Sequence, residues 1–357
     1  MKRILTLALA SALALPALAH AEKGSPLWLR HQQISPDGSQ IAFCYKGDIY
    51  TVPTAGGQAL RLTSNAAYDG TPIWSPDSRS LAFSSDREGS KDVYIVKADG
   101  SGLRRLTYSS EKEVPVAFLD GSTLLFQSYV MPDVKDGMYP WDWFVQTYSL
   151  DLSKTIARPK LYGAYPMLMP SLRGGEILYT DVKGYEDIWR KHAVSPVTRD
   201  IWLRSKDGKH TKLTTFGGED RNAVWDSKGG FYYLSEREGS FNVYHRDAAT
   251  AAAADKKITS FTKDPVRFLS IASNGTLCYG FDGEIYTQTP GGQPTKVNVS
   301  IVRDQEESAI NPETIRDGVS SFAVAPSNKE IAFIVHGDVF VTHTEYGTTK
   351  RLTSTPE

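Results

Sequence analysis

The sequence predicts an all-β chain of propeller type, built from blades of four antiparallel strands. Three observations predict it. A unit with turn chemistry at its start and aromatic anchors in its two middle strands recurs seven times. The first two copies, at Ser35 and Ser75, lie 40 residues apart, the length of four short strands with their turns. Helical periodicity is nearly absent from 357 residues that include 29 Gly, 19 Pro and 11% aromatics.

Taken in order, residues 1–21 read as an address rather than structure. Lys2 and Arg3 precede a short apolar run from Ile4 to Leu15, and Ala19-His20-Ala21 fits the small-x-small cleavage rule. A secretory signal peptide cut after Ala21 is expected. A membrane anchor is the alternative, but the run is shorter than the ~20 residues a spanning helix needs. The expected compartment is a bacterial periplasm, with no membrane association after cleavage.

The repeat follows. Ser35-Pro36-Asp37-Gly38 precedes Ile41-Ala42-Phe43, and Ser75-Pro76-Asp77-Ser78 precedes Leu81-Ala82-Phe83. The register returns at Asp120-Gly121, Gly174-Gly175, Lys228-Gly229, Asn274-Gly275 and Ser327-Asn328. In this grammar Pro presets the turn, and Asp and Gly tolerate its corner. The second strand carries a Phe or Tyr. The third carries Tyr50, Tyr94, Tyr148, Trp202, Tyr244, Tyr286 or Phe340, and the fourth ends in Leu-Thr at Leu62, Leu106, Leu213 and Leu352. Ala248 to Ala254 falls between third and fourth strands and reads as a loop. A blade is apolar on both faces, so it gains burial only when neighbours sandwich it.

Residues 302–319 are polar, show no strand alternation, and exceed a usual connection between blades. Two architectures fit. One is a six-bladed ring over 27–301, a linker over 302–319 and the first blade of a second, truncated propeller over 320–357. The other is a single seven-bladed ring. The polar break favours the first.

Composition excludes some functions. With 40 Lys+Arg against 41 Asp+Glu, and 38 against 41 once Lys2 and Arg3 are cleaved, there is no electrostatic case for nucleic acid. Two Cys make neither a disulfide scaffold nor a Cys-based zinc site. Cys44 and Cys278 read as separate buried thiols, with a bridge as the alternative. There is no Gly-x-Ser-x-Gly elbow, no His-Glu-x-x-His and no phosphate-cradling loop, and the histidines are scattered. No catalytic residue, metal or cofactor is expected in this chain.

The interval between second- and third-strand anchors is 7, 11, 22, 23, 11, 7 and 7 residues along the seven units. Units three and four therefore carry insertions at one topological place, and an up-and-down blade puts both on one face. The first holds Trp141 and Trp143. The second holds Tyr185, Trp189, Arg190, Lys191, His192 and Arg199. Aromatic and cationic residues on long loops of a rigid scaffold suit peptide binding, with Arg and Lys holding a carboxylate. The plainer reading is that these loops cap the ring or pack against a neighbouring domain.

The stretches Leu27 to Gly57, Gly184 to Leu203 and Phe322 to Glu357 resemble the tricorn-like, exported serine proteases. The short repeat itself is shared with the Tol-system periplasmic propeller and prolyl-oligopeptidase-type peptidases. The resemblance implies a six-bladed propeller followed by a seven-bladed one, then a PDZ-like domain and catalytic lobes that lie beyond Glu357. It implies a fragment without catalytic residues that binds or gates peptides or unfolded polypeptide, with homo-oligomerisation left open. A stand-alone protein-binding propeller like the Tol component is the alternative.

Overall fold

The structure, a computed structural model, describes residues 26–129, 145–163, 165–184, 195–302 and 317–353. The expected signal peptide and most of the expected linker lie outside these residues. The described strands form seven four-stranded antiparallel sheets in up-and-down order and one two-stranded parallel pair. The chain divides into two units, residues 1–302 and 303–357.

The turn chemistry is visible atom by atom. The first sheet comprises Arg30–Ile34, Gln40–Tyr45, Asp48–Pro53 and Leu60–Arg61. Between its first two strands the Ser35 hydroxyl donates to Asp37 Oδ1 at 2.5 Å and accepts the Gln40 N–H at 3.0 Å. Asp37 Oδ1 also accepts the Ser39 N–H at 3.0 Å. Ser75 and Asp77 repeat these contacts at 2.6 and 2.9 Å with Ser80 as the backbone donor. The side chains thus satisfy backbone groups that the corner removes from the ladder.

The Leu-Thr ending has an equally local cause. Thr63, Thr107, Thr214 and Thr259 place their hydroxyls to accept the N–H of Ile49, Val93, Ile201 and Val243, the second residue of each third strand or its equivalent, at 2.8–3.0 Å. Each adds one rung beyond the backbone ladder. In four described sheets of the first unit the acid that opens the third strand pairs with a base on the fourth: Asp48 with Arg61 at 2.7 Å, Asp92 with Arg105 at 2.8 Å, Asp200 with Lys212 at 2.7 Å, and Glu284 with Lys296.

Within unit one, successive sheets share apolar clusters. Ala42, Cys44 and Ile49 of the first meet Trp74, Leu81 and Phe83 of the second. Ala82 and Val93 meet Leu124 and Phe126 of the third. Leu178 and Ile201 of the fourth meet Ala223, Trp225 and Phe231 of the fifth, and Val224 and Leu234 meet Leu269, Leu277 and Tyr279 of the sixth. Ala272, Cys278 and Ile285 of the sixth then pack on Leu29, Ile34, Ile41 and Phe43 of the first. Ile34 N–H donates to Ser270 Oγ at 3.1 Å and Leu29 N–H to Gly283 O at 2.9 Å across the same seam. The parallel pair, Val299–Ser300 beside Gly57–Gln58, lies at this seam too. Phe43, Phe83, Phe126, Phe231, Tyr233 and Tyr279 are fully buried. Full burial of each such ring contributes about 1.5–3 kcal/mol.

The first strands share a feature that the repeat does not announce. Each shifts register against its second strand, and in five of them a non-glycine residue at the shift has positive φ: His31, Thr71, Met169, Asn222 and Phe268. Such bulges re-aim a side chain and sharpen the twist. Asn222 uses its position to clamp the next sheet, donating to Leu269 O at 2.9 Å and accepting Leu269 N–H at 2.8 Å.

Cys44 and Cys278 are both free and buried, on different inter-sheet clusters, so the separate-thiol reading describes them. The Ala-rich run is a loop, tied down by the ion pair of Arg246 with Asp255.

Among the described residues the second unit holds one sheet: Val319–Val324, Glu330–Val335, Asp338–His343 and Thr349–Arg351. It repeats the same chemistry, with Phe333 stacked on Phe340 at 5.7 Å and Asp338 paired with Arg351 at 2.8 Å. Its first strand is exposed throughout, Phe322 at 69%.

Candidate functional site

Trp141, Trp143, Tyr185, Trp189, Arg190, Lys191 and His192 lie outside the described residues. Arg199 is described, and its setting differs from a solvent-facing clamp. It is 5% exposed, and its Nη1 lies 3.1 Å from Glu219 Oε1. Arg221 Nη1 reaches the same oxygen at 3.2 Å, while the Glu219 N–H donates to Glu236 Oε1 at 2.8 Å. Burial holds the Arg221 guanidinium down at about 10. The reason is positional: Arg199 directly precedes Asp200 and Ile201, which enter the buried start of a third strand.

The same end of the fourth sheet carries a pocket of about 260 Å³, lined by Tyr165, Pro166, Tyr179, Asp181, Val182, Trp202 and His210. Tyr165 and Pro166 come from the connection between the third and fourth sheets. Tyr179 lies on Glu176–Thr180, Trp202 on Ile201–Arg204 and His210 on His210–Lys212. Tyr179 pairs with Trp202, and Arg204 with His210, so the register sets the three side chains on one face.

The polar tips of the walls are tied together. Tyr179 Oη and His210 Nδ1 lie 2.8 Å apart. Trp202 Nε1–H donates to Asp181 Oδ2 at 2.9 Å, and the Asp200 N–H donates to Asp181 Oδ1 at 2.7 Å. The Tyr165 ring stands edge-on to the His210 ring at 4.8 Å, and the Tyr179 ring at 5.7 Å. Burial, then the Arg204 charge, lowers the His210 pKa, which keeps the imidazole neutral at pH 7. Burial raises the pKa of Tyr165, Tyr179 and Asp181. The arrangement offers ring faces and one carboxylate. It has the character of a binding site rather than of a reacting centre.

Sequence reading took Tyr179 and Trp202 only as blade anchors and His210 as one of several scattered histidines. The available signal was the third-strand anchor itself, where Trp202 stands in place of the Tyr of five other sheets. Among the described residues no three His, Cys, Asp or Glu side chains are grouped to hold a metal ion. No helix among them is long and apolar enough to cross a membrane.

The family model of the tricorn protease N-terminal β-propeller domain matches residues 26–293. The chain belongs to this family. Tricorn protease homolog 1 of Streptomyces coelicolor is 24% identical over 344 residues, covering 94% of the chain and 30% of that relative. A second tricorn homologue of the same organism is 23% identical over 95% of the chain and 28% of its own length. The chain thus spans under a third of the length of these two relatives. The crystal structure of the tricorn protease superposes with a TM-score of 0.65 over 92% of this chain and 32% of that one, at 18% identity. TolB from Acinetobacter baumannii superposes with a TM-score of 0.55 over 75% of this chain and 66% of that one, at 15% identity. Both likenesses concern the fold.

Proposed function

We propose that the chain is the non-catalytic propeller portion of a tricorn-like, exported serine peptidase, and that it binds or guides peptides or unfolded polypeptide. Residues 27–301 act as one six-bladed propeller, and residues 320–357 begin a second. The PDZ-like and catalytic domains that act with it belong to the rest of the protein. The family match across residues 26–293 carries this reading. The start of the sequence supports the periplasmic setting through its Lys2-Arg3, apolar run and Ala19-His20-Ala21 pattern.

The test is binding without turnover. Carboxymethylated α-lactalbumin, which cannot fold, is expected to bind the chain in a titration and to remain intact. Absence of binding would reject the peptide-handling role, and cleavage would reject the non-catalytic one. Export is checked by the mass of the protein from a periplasmic fraction, expected to begin at Glu22. The TolB likeness supports a second reading, a stand-alone protein-binding propeller. That reading predicts a natural terminus near Glu357 rather than further domains.

A further inference from the structure

We infer that the pocket on the fourth sheet holds a cationic side chain, arginine or lysine, of a peptide passing over that face; this rests on the peptide-handling reading above. Tyr165, Tyr179 and Trp202 supply π-faces, which attract a cation placed over them. Asp181 is the charged residue of the lining, since His210 is kept neutral. Each Asp181 oxygen already accepts one hydrogen bond, from Asp200 N–H at 2.7 Å and Trp202 Nε1–H at 2.9 Å. These fix the carboxylate plane and leave each oxygen a second lone pair for a guest.

The bases nearby have partners of their own, while the Arg204 charge reaches Tyr165 and His210 and Lys183 lies within ion-pair range of Asp181. Lys183 binds Asp200 and the Thr198 carbonyl and stays 3.7 Å from Asp181. Lys212 lies 2.7 Å from Asp200, and the Arg204 guanidinium lies over the Tyr162 ring at 5.4 Å. None of the three lines the pocket. A cationic guest with an apolar stem therefore meets ring faces along its length and a preset carboxylate at its head. A neutral polar guest of the same shape gains the stem contacts alone.

The experiment compares acetyl-Gly-Arg-Gly-amide with its citrulline counterpart, which keeps the shape and loses the charge. Binding to the chain is read by calorimetry. The arginine peptide is expected to bind at least about tenfold more tightly, the scale of one charge-assisted hydrogen bond. Asp181→Asn should abolish that preference. Tyr165→Leu, which leaves the Asp181 hydrogen bonds intact, should weaken the arginine peptide several-fold and serves if Asp181→Asn fails to fold. Equal binding of the two peptides overturns the inference, as does an unchanged preference in a folded Asp181→Asn or an unchanged affinity in Tyr165→Leu. Carboxymethylated α-lactalbumin separates the levels. If it binds while the arginine peptide shows no preference, the pocket assignment fails and the peptide-handling reading stands; if it does not bind, that reading fails.

Discussion

Replacing Thr259 by Val isolates what the Leu-Thr ending contributes. The Thr259 hydroxyl accepts the Val243 N–H at 2.9 Å and donates to Asn242 Oδ1 at 2.9 Å. Thr259 is 2% exposed and Val243 is fully buried, so water cannot replace the lost oxygen. Asn242 Oδ1 keeps the Phe261 N–H at 2.8 Å, and the Val243 N–H alone is orphaned. Volume is nearly conserved, and area bookkeeping by itself predicts no loss, or a slight gain from the added methyl. An orphaned buried donor predicts a loss of about 1–3 kcal/mol. The two accounts differ in sign. The assay is equilibrium urea unfolding, with an unchanged slope showing that the same surface is exposed. Thr107→Val, which removes the acceptor of the Val93 N–H at 2.8 Å, should behave alike. The two sites lie in different sheets, so the double variant should sum to within ~0.5 kcal/mol. A Thr259→Val variant as stable as the parent would refute the reasoning.

Three further outcomes are expected. Gly56→Ala should destabilise the chain by more than Gly89→Ala, because both have positive φ but only Gly56 would place a Cβ 2.7 Å from a backbone oxygen, that of Asn298; equal losses in urea unfolding would remove the seam contact as the cause. Asp220 and Asp255 oppose each other in pH dependence. Burial raises Asp220 to about 6, so its contribution is fully present below about pH 4 and is lost as pH rises through 6. Arg246, Tyr233 and Arg237 outweigh burial at Asp255 and hold it at about 2, so its contribution is present above pH 4 and is lost as pH falls through 2. The stability gap between parent and Asp220→Asn should shift against the parent between pH 4 and 6, and an unchanged gap would contradict this. Cys44 and Cys278, pushed up to about 12 by burial, should resist a thiol reagent until urea unfolds the chain; rapid labelling of the native protein would show that the clusters open.

How much of this was legible in the sequence depended on whether the cause was local. The Ser-Pro-Asp-Gly turns and the Leu-Thr endings act on residues close by in the chain, so their pattern exposes their role. The aromatic anchors alternate with the strand period, which sufficed for the all-β propeller class. The bulges at His31, Thr71, Met169, Asn222 and Phe268 were invisible, because five unlike residues occupy one backbone position imposed by packing of the first strands. The pocket was hidden for a related reason. Tyr165 and Asp181 lie 16 residues apart and meet only through the fold of the fourth sheet. The burial of Arg199 beside Glu219 was likewise not legible, because it depends on a contact 20 residues along the chain.

The central claim is that the sixth sheet of the first unit closes on the first. Hydrogen exchange at the Gly57 and Ala59 amides tests it most directly, since these donate to Asn298 O and Ser300 O, each at 2.8 Å, across the seam. Protection of both amides, lost only when the whole unit unfolds, is the predicted result. Exchange at the rate of an unstructured chain, with the strands of the first sheet still protected, would contradict the closure.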